Sequence, residues 1–224
     1  MEASREPSSL RLAGSLAVAG LLSGLILVGV FLATQPRIQR NRAEALRAAI
    51  FKVLPGTERI DAFKLDGAGV SPYQGDPGAP THEVLVYRGS AADGAVKGWA
   101  IPAEGAGFQD TIVLLYGFDP ARQAIIGMEV LESRETPGLG DKIAFDEHFR
   151  ANFKELKVEP KIELVKKGEK TAPHQVDAIT GATISSRAVV NILLQSTEQW
   201  LPRVNAAGKQ ARVEGRRDSQ GVGN

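Results

Sequence analysis

Residues 177–186 read Asp-Ala-Ile-Thr-Gly-Ala-Thr-Ile-Ser-Ser. Hydroxyls crowd a Gly181-Ala182 pair there, at the entry to an apolar run with helical period. Val189, Leu193 and Trp200 fall on one side of that run, with Val190 and Leu194 beside them. Two chemistries suit the arrangement. Thr183 or Ser185 can cap the helix by accepting a backbone N–H bond. The same helix start, with free N–H donors and a positive dipole end, also suits a phosphate. A threonine hydroxyl is not acidic enough to attack a phosphoryl group unaided, so a covalent outcome at Thr183 needs a second enzyme.

A second constellation is Glu135-Thr-Pro-Gly-Leu-Gly140 followed by Asp141. Pro137-Gly138 is a type II turn signal, and Gly138 and Gly140 permit close backbone approach to a flat ligand. Glu135 and Thr136 offer hydrogen bonds to polar edges of such a ligand. An ordinary surface loop is the alternative. A third stretch, Gly105-Ala-Gly-Phe108, reads either as a ligand-facing loop or as a tight hairpin. Neither glycine pair extends to Gly-x-Gly-x-x-Gly, and neither sits in a βαβ unit, so a dinucleotide fingerprint is excluded.

Composition narrows the classes. The 224 residues carry a formal net charge of +1, which gives no argument for a nucleic-acid partner. Cysteine is absent, which removes disulfides, thiolate zinc sites, cysteine-ligated iron–sulfur clusters and thioether-attached haem. His82, His148 and His174 lack ligand spacing, so no metal site is expected. A redox role would therefore fall to an organic carrier.

The elements that must position these groups begin in the membrane. Residues 12–34 form an uncharged run long enough, at ~1.5 Å per residue, to cross a ~30 Å hydrocarbon core. Its length and the lack of an Ala-x-Ala site favour an uncleaved anchor over a signal peptide. Gly20 and Gly24 either seat a neighbouring helix or are glycines of a common transmembrane kind. Arg5 and Arg11 precede the span and Arg37, Arg40, Arg42 and Arg47 follow it, which taken alone puts the C-terminal part in the cytoplasm. Pro36 is expected to close the membrane helix or to mark its interfacial end. Residues 41–54 then show one apolar face of Leu46, Ile50, Val53 and Leu54, ended by Pro55-Gly56, and read as a stalk or as a core helix. Residues 66–80 read as loop. Strands are expected at 83–88, 96–101, 111–118, 124–131 and 161–165, joined by short turns such as Asp93-Gly94. That succession predicts an antiparallel meander. A helix is expected over 143–153, with Phe145, Phe149 and Phe153 on one face, and the last helix over 184–201. The tail beyond Gly208 is expected to be disordered.

The three stretches, in this order behind one N-terminal span, resemble the FMN-binding domain family. They look most like the G subunits of Rnf ion-translocating electron-transport complexes, and are also similar to the C subunits of sodium-pumping NADH:quinone oxidoreductases. Thr180 and Ser133 depart from that pattern, which commonly has Ser and His there. The resemblance implies an α+β chain: a tail (1–11), a transmembrane helix (12–34), a stalk helix (35–56), an extramembrane antiparallel-sheet FMN-binding domain with flanking helices (57–205), and a disordered tail (206–224). It implies FMN held as a phosphoester on Thr183, placed there by an FMN transferase. Thr180, Gly181, Ala182 and Ser185 would form the recognition loop. Asp177 would be a contact for the transferase or its metal, or a turn residue. Glu135, Thr136, Gly138, Leu139 and Gly140 would contact the isoalloxazine. It further implies a single-pass protein of the bacterial inner membrane whose flavin domain faces the periplasm, against the arginine count. Its partners would be the polytopic subunits of the complex, which would carry the ion path that one charge-free span cannot offer. The function implied is electron relay within such a complex, without substrate turnover by this chain alone; a stand-alone anchored flavoprotein and an unflavinylated assembly module, with Thr183 only a helix cap, are the alternatives.

Overall fold

The computed structural model describes residues 8–67, 69–75 and 83–220. Arg5 and the rest of 1–7, Ala68, residues 76–82 with His82, and 221–224 lie outside them. The chain opens with one helix, α1 (Ser9–Val53). Pro36 lies inside it, so of the two expectations for this residue the closing of the helix does not hold. A proline inside a helix removes one backbone bond and crowds the carbonyl four residues back, a local cost. The turn before it gains Thr34 Oγ1 donating to the carbonyls of Val30 and Phe31 at 2.8 and 3.1 Å. The Ala- and Arg-rich run after it is strongly helix-forming. The apolar part of α1 is fully exposed, and it is long and apolar enough to cross a membrane. The 35–56 segment is thus the continuation of the same rod and not a separate stalk.

Seven antiparallel strands follow: β1 (Arg59–Asp66), β2 (Gly69–Pro72), β3 (Leu85–Ser90), β4 (Val96–Ala106), β5 (Thr111–Asp119), β6 (Ala124–Glu132) and, after the helical turns described below, the two-residue β7 (Leu156–Lys157). Their order in the sheet is β2-β1-β3-β4-β5-β6-β7. The meander from β3 to β6 is as the sequence predicts. The pair β1 and β2 is not: the sequence marks no strand before residue 83 and suggests a loop over 66–80. The sheet is buried on both faces, because alternate residues point to opposite layers. Val86, Ile101, Leu114 and Tyr116 join the larger core, while Leu85, Tyr87, Ala100 and Leu115 join a smaller one formed with the end of α1.

That smaller core docks the membrane rod. Ala49, Ile50, Val53 and Leu54 are buried against the sheet. Gly117 and Gly127 face each other across β5 and β6. A Cβ on Gly127 would lie 2.7 Å from the Val53 Cα, and one on Gly117 would overlap the Val53 carbonyl oxygen. The glycine pair is the notch into which the helix end fits. An exposed ion pair, Arg42–Glu132 (3.2 Å), and a half-exposed one, Lys52–Glu129 (3.7 Å), flank it, and the exposed pair adds little. Gly117→Ala should therefore cost about 3 kcal/mol by overpacking, seen as a melting temperature lower by roughly 6–12 °C. An unchanged melting temperature would contradict this contact.

On the opposite face lies α3 (Thr183–Gln220), with Val189, Val190, Ile192, Leu193, Trp200 and Val204 buried. It extends well past residue 206, where the sequence predicts a disordered tail. The 143–153 helix is broken up instead. A 3-10 turn over Gly140–Ala144 precedes α2 (Glu147–Ala151), capped by Asp146 accepting from the Phe149 N–H at 2.8 Å, and a second 3-10 turn, Asn152–Lys154, follows. Phe149 and Phe153 pack edge to face at 5.2 Å in the core, but Phe145 is exposed. A small parallel pair, β8 (Glu163–Val165) and β9 (Gln175–Asp177), leads into the start of α3.

Candidate functional site

The entry to α3 is built by a type II turn. The Ala182 N–H donates to the Ile179 carbonyl at 3.0 Å, and Gly181 takes the left-handed conformation, φ +83°. An L side chain is disfavoured at that position, so glycine sets the turn. Ala182 is buried under it. The four hydroxyls then divide the work. Ser186 Oγ is buried, accepts from the Ile179 N–H at 3.1 Å and donates to the Ala182 carbonyl at 2.9 Å. It is Ser186 that satisfies this turn, not Thr183 or Ser185. Thr180 and Thr183 are exposed. The Thr183 hydroxyl makes no hydrogen bond among the described residues, so the capping role is not its own.

Ser185 points the other way. It is buried and donates to Glu135 Oε2. Glu135 is also buried, and its Oε1 accepts from the backbone N–H groups of Phe108 (2.9 Å) and Gln109 (3.0 Å). The three stretches singled out in the sequence thus meet on one carboxylate. Burial alone would raise its pKa. Hydrogen bonds from Ser185 and from the Gln109, Phe108 and Asp110 backbone outweigh that and hold the carboxyl below its ordinary value. Two glycines make room for it: a Cβ on Gly140 would come within 2.6 Å of both Glu135 Oε2 and Ser185 Oγ, and one on Gly107 would strike Glu135 Oε1. The 105–108 stretch is accordingly the end of β4 and a tight hairpin, closed by the Gly107 N–H to the Asp110 carbonyl at 2.9 Å.

The loop that carries Glu135 contains the expected type II turn. The Leu139 N–H donates to the Thr136 carbonyl at 3.1 Å, and Gly138 has φ +75°. Thr136 Oγ1 donates to Gln109 Oε1 at 2.9 Å, a second tie to the hairpin. Glu135 and Thr136 thus both hydrogen-bond to the 108–109 part of the hairpin. What this region does present is apolar: Phe108, Leu139 and Ile184 are each more than half exposed, at 64%, 51% and 59%. Each is next in sequence to a group bonded to, or packed on, the Glu135 carboxylate.

Asp177 is a turn-forming residue. Its Oδ1 accepts from the Gly168 and Lys170 N–H groups, both at 3.1 Å, and Oδ2 lies 3.4 Å from His148 Nε2. Asn152 Oδ1 accepts from its N–H at 3.2 Å. Asn152 is a residue that sequence reasoning misses, because only the fold brings it beside β9. Ser185→Ala should cost about 1–2 kcal/mol by leaving a carboxylate oxygen without its donor. A thermal melt lower by roughly 2–8 °C should read this, and an unchanged melting temperature would contradict the bond.

Residues 107–197 match the FMN-binding domain family. The G subunit of the ion-translocating oxidoreductase complex of Methanosarcina acetivorans is 34% identical over 179 residues, covering 80% of this chain and 87% of that protein. The corresponding G subunit of Haemophilus influenzae is 30% identical over 186 residues, covering 76% and 80%. The crystal structure of NqrC from Shewanella oneidensis superimposes with a TM-score of 0.61 over 78% of this chain and 99% of that one; at 18% identity this speaks for the fold. The chain belongs to the family of G subunits of ion-translocating oxidoreductase complexes and carries their FMN-binding domain.

Proposed function

We propose that this protein is the membrane-anchored covalent flavoprotein of an Rnf-type complex, relaying electrons between partner subunits while the complex moves ions. The observation that carries the reading is Thr183: a solvent-facing hydroxyl with no structural duty among the described residues, at the first position of α3, within the FMN-binding domain. FMN would be joined to it as a phosphoester by an FMN transferase that draws on an activated phosphoanhydride form of the flavin. The Thr183 oxygen would bond to the flavin's phosphorus as the anhydride bond breaks, the donor's other phosphate half would leave, and the hydroxyl proton would pass to a base of the transferase. Thr180, Gly181 and Ala182 shape the turn that presents Thr183, and Ser185 fixes the helix start from below. The exposed apolar side chains of Phe108, Leu139 and Ile184 fit a flat, largely apolar ring system, with the Gly138 turn setting the edge of that surface. Glu135 and Thr136 act beneath that surface and Asp177 acts in the adjoining turn, all three as supports.

When bound, a flavin supplies one- and two-electron chemistry that links single-electron carriers. The chain's own residues hold it at high local concentration and prevent its loss. Helix α1 fixes where this happens. About 15 residues separate the end of the apolar run from the first buried residue, Ala49, an offset of roughly 22 Å along one continuous helix. The family resemblance favours a periplasmic domain. The chain has no cysteine, so a single Lys161→Cys variant gives a clean test: an impermeant thiol reagent should label it in intact cells, and labelling only after lysis would reverse the orientation. For the function itself, a complex assembled with Thr183→Val should retain all its subunits and lose donor-to-acceptor electron transfer. Full turnover by that assembled complex would refute the relay.

A further inference from the structure

Between the apolar run and the domain, α1 carries its free charge on one side. Leu46, Ile50 and Val53 pack against the sheet. At ~100° per residue, Gln35, Gln39 and Arg42 lie on that same side of the helix. They are neutral or neutralised: Gln39 Nε2 donates to Gln35 Oε1 at 3.5 Å, and Arg42 pairs with Glu132 at 3.2 Å. Arg37 and Arg40 lie on the side turned away from the domain. Three residues apart, they are neighbours on one helix face. Both are exposed, and neither makes an ion pair or a hydrogen bond among the described residues. The acid on this face, Glu44, stands one turn beyond Arg40 and pairs with neither.

Their height along the rod decides what they meet. Because α1 is continuous through Pro36, Arg37 and Arg40 stand roughly 4.5 and 9 Å beyond Thr34, the end of the uncharged run. The headgroup layer outside a ~30 Å hydrocarbon core is ~5–7 Å deep on each side. Arg37 stands within that layer, and the long side chain of Arg40 can bend back into it. A guanidinium offers a planar fork of donors that matches phosphate oxygens. We propose that Arg37 and Arg40 together grip the phosphate of an anionic phospholipid at the membrane surface. In a zwitterionic lipid the headgroup's own cation competes for that phosphate, so the pair selects a lipid of net negative charge. This rests on α1 as the membrane anchor and holds for either orientation and with or without a flavin. The other side of α1 is seated in the Gly117 and Gly127 notch of the sheet. A lipid held at the two arginines therefore also fixes the rotation of the rod, and with it the face that the domain turns to its neighbours.

The test uses the full chain, which has no cysteine of its own, in vesicles of phosphatidylglycerol and phosphatidylcholine in equal amounts. Ala33→Cys puts a bimane label at an exposed position one turn before Arg37, on the same face and within the uncharged run. Each lipid is brominated on its acyl chain in turn, and quenching of the bimane reads which lipid lies beside it. At ~50 mM salt phosphatidylglycerol should be favoured ~5-fold at this position. The preference should fall to about twofold or less at ~0.5 M salt, and should vanish in the Arg37→Gln, Arg40→Gln double variant. Arg47→Gln makes the same kind of charge change roughly 20 Å beyond Thr34, outside the headgroup layer, and should keep the preference. These exposed substitutions should leave the melting temperature unchanged. Equal quenching by the two lipids, a preference that survives loss of both arginines, or an equal fall in Arg47→Gln would overturn the proposal. A label that neither lipid quenches would also overturn it, by removing α1 from the bilayer, and would leave the flavin assignment untouched.

Discussion

Thr183→Val should give a folded, membrane-inserted protein with no covalent flavin at all. Valine matches threonine in shape and in branching, and the position is exposed, so stability should change by no more than about 0.5 kcal/mol. The hydroxyl makes no hydrogen bond among the described residues that folding would miss. Ser186 remains to satisfy the turn over 179–182, and Ser185 remains tied to Glu135. What is lost is the atom that would form the ester. Co-expression with a flavin transferase, followed by intact mass and a thermal melt, should show an unmodified chain with an unchanged melting temperature. An FMN-sized increment on the variant would place the attachment elsewhere.

Glu135→Ala should be strongly destabilising. It removes the acceptor for two backbone N–H groups and one buried hydroxyl, and leaves a void between the hairpin and α3. The loss should be about 4 kcal/mol, with the 107–110 hairpin and the α3 start loosening together. Glu135→Gln keeps the shape and loses the charge, so it should cost less. The pH dependence follows from the lowered pKa. A depressed carboxyl contributes stability above its unfolded pKa and loses it as the pH falls through the folded value. The gap between wild type and Glu135→Gln should therefore be full at neutral pH and close as the pH drops below 4.5, the ordinary value for this group. A gap that is independent of pH would contradict the ionised, hydrogen-bonded state of Glu135.

Both turns are legible in the sequence, because Pro137-Gly138 and Gly181 follow local rules that act within four residues. So are the meander strands, which are short apolar runs bounded by turn signals, and the buried face of α3. The roles of individual polar atoms are not. In 180–186 the hydroxyls look alike in sequence, and only packing shows that Ser186 serves the turn, Ser185 the core and Thr183 nothing internal. Glu135 resembles a ligand contact because its partners are backbone groups 26 and 27 residues away and a serine 50 residues away. Strand β1 escapes sequence reasoning because charged Arg59, Asp61, Lys64 and Asp66 dilute its pattern; Asp61 is spoken for by Arg88 on β3 at 3.0 Å. Pro36 reads as a stop from local chemistry, which the helix-forming residues on either side override. Phe145 shows the same limit: helical spacing puts it with Phe149 and Phe153, but the chain breaks between them.

The central claim is that one hydroxyl carries the flavin, and peptide mapping tests it most directly. Tryptic cleavage after Lys170 and Arg187 isolates residues 171–187, which contain Thr171, Thr180, Thr183, Ser185 and Ser186. After co-expression with a flavin transferase, fragmentation should place a single FMN phosphoester on Thr183 and leave the other four hydroxyls free. An adduct on Thr180 or Ser185, or an unmodified peptide beside a control protein that the same transferase has labelled, would contradict the account.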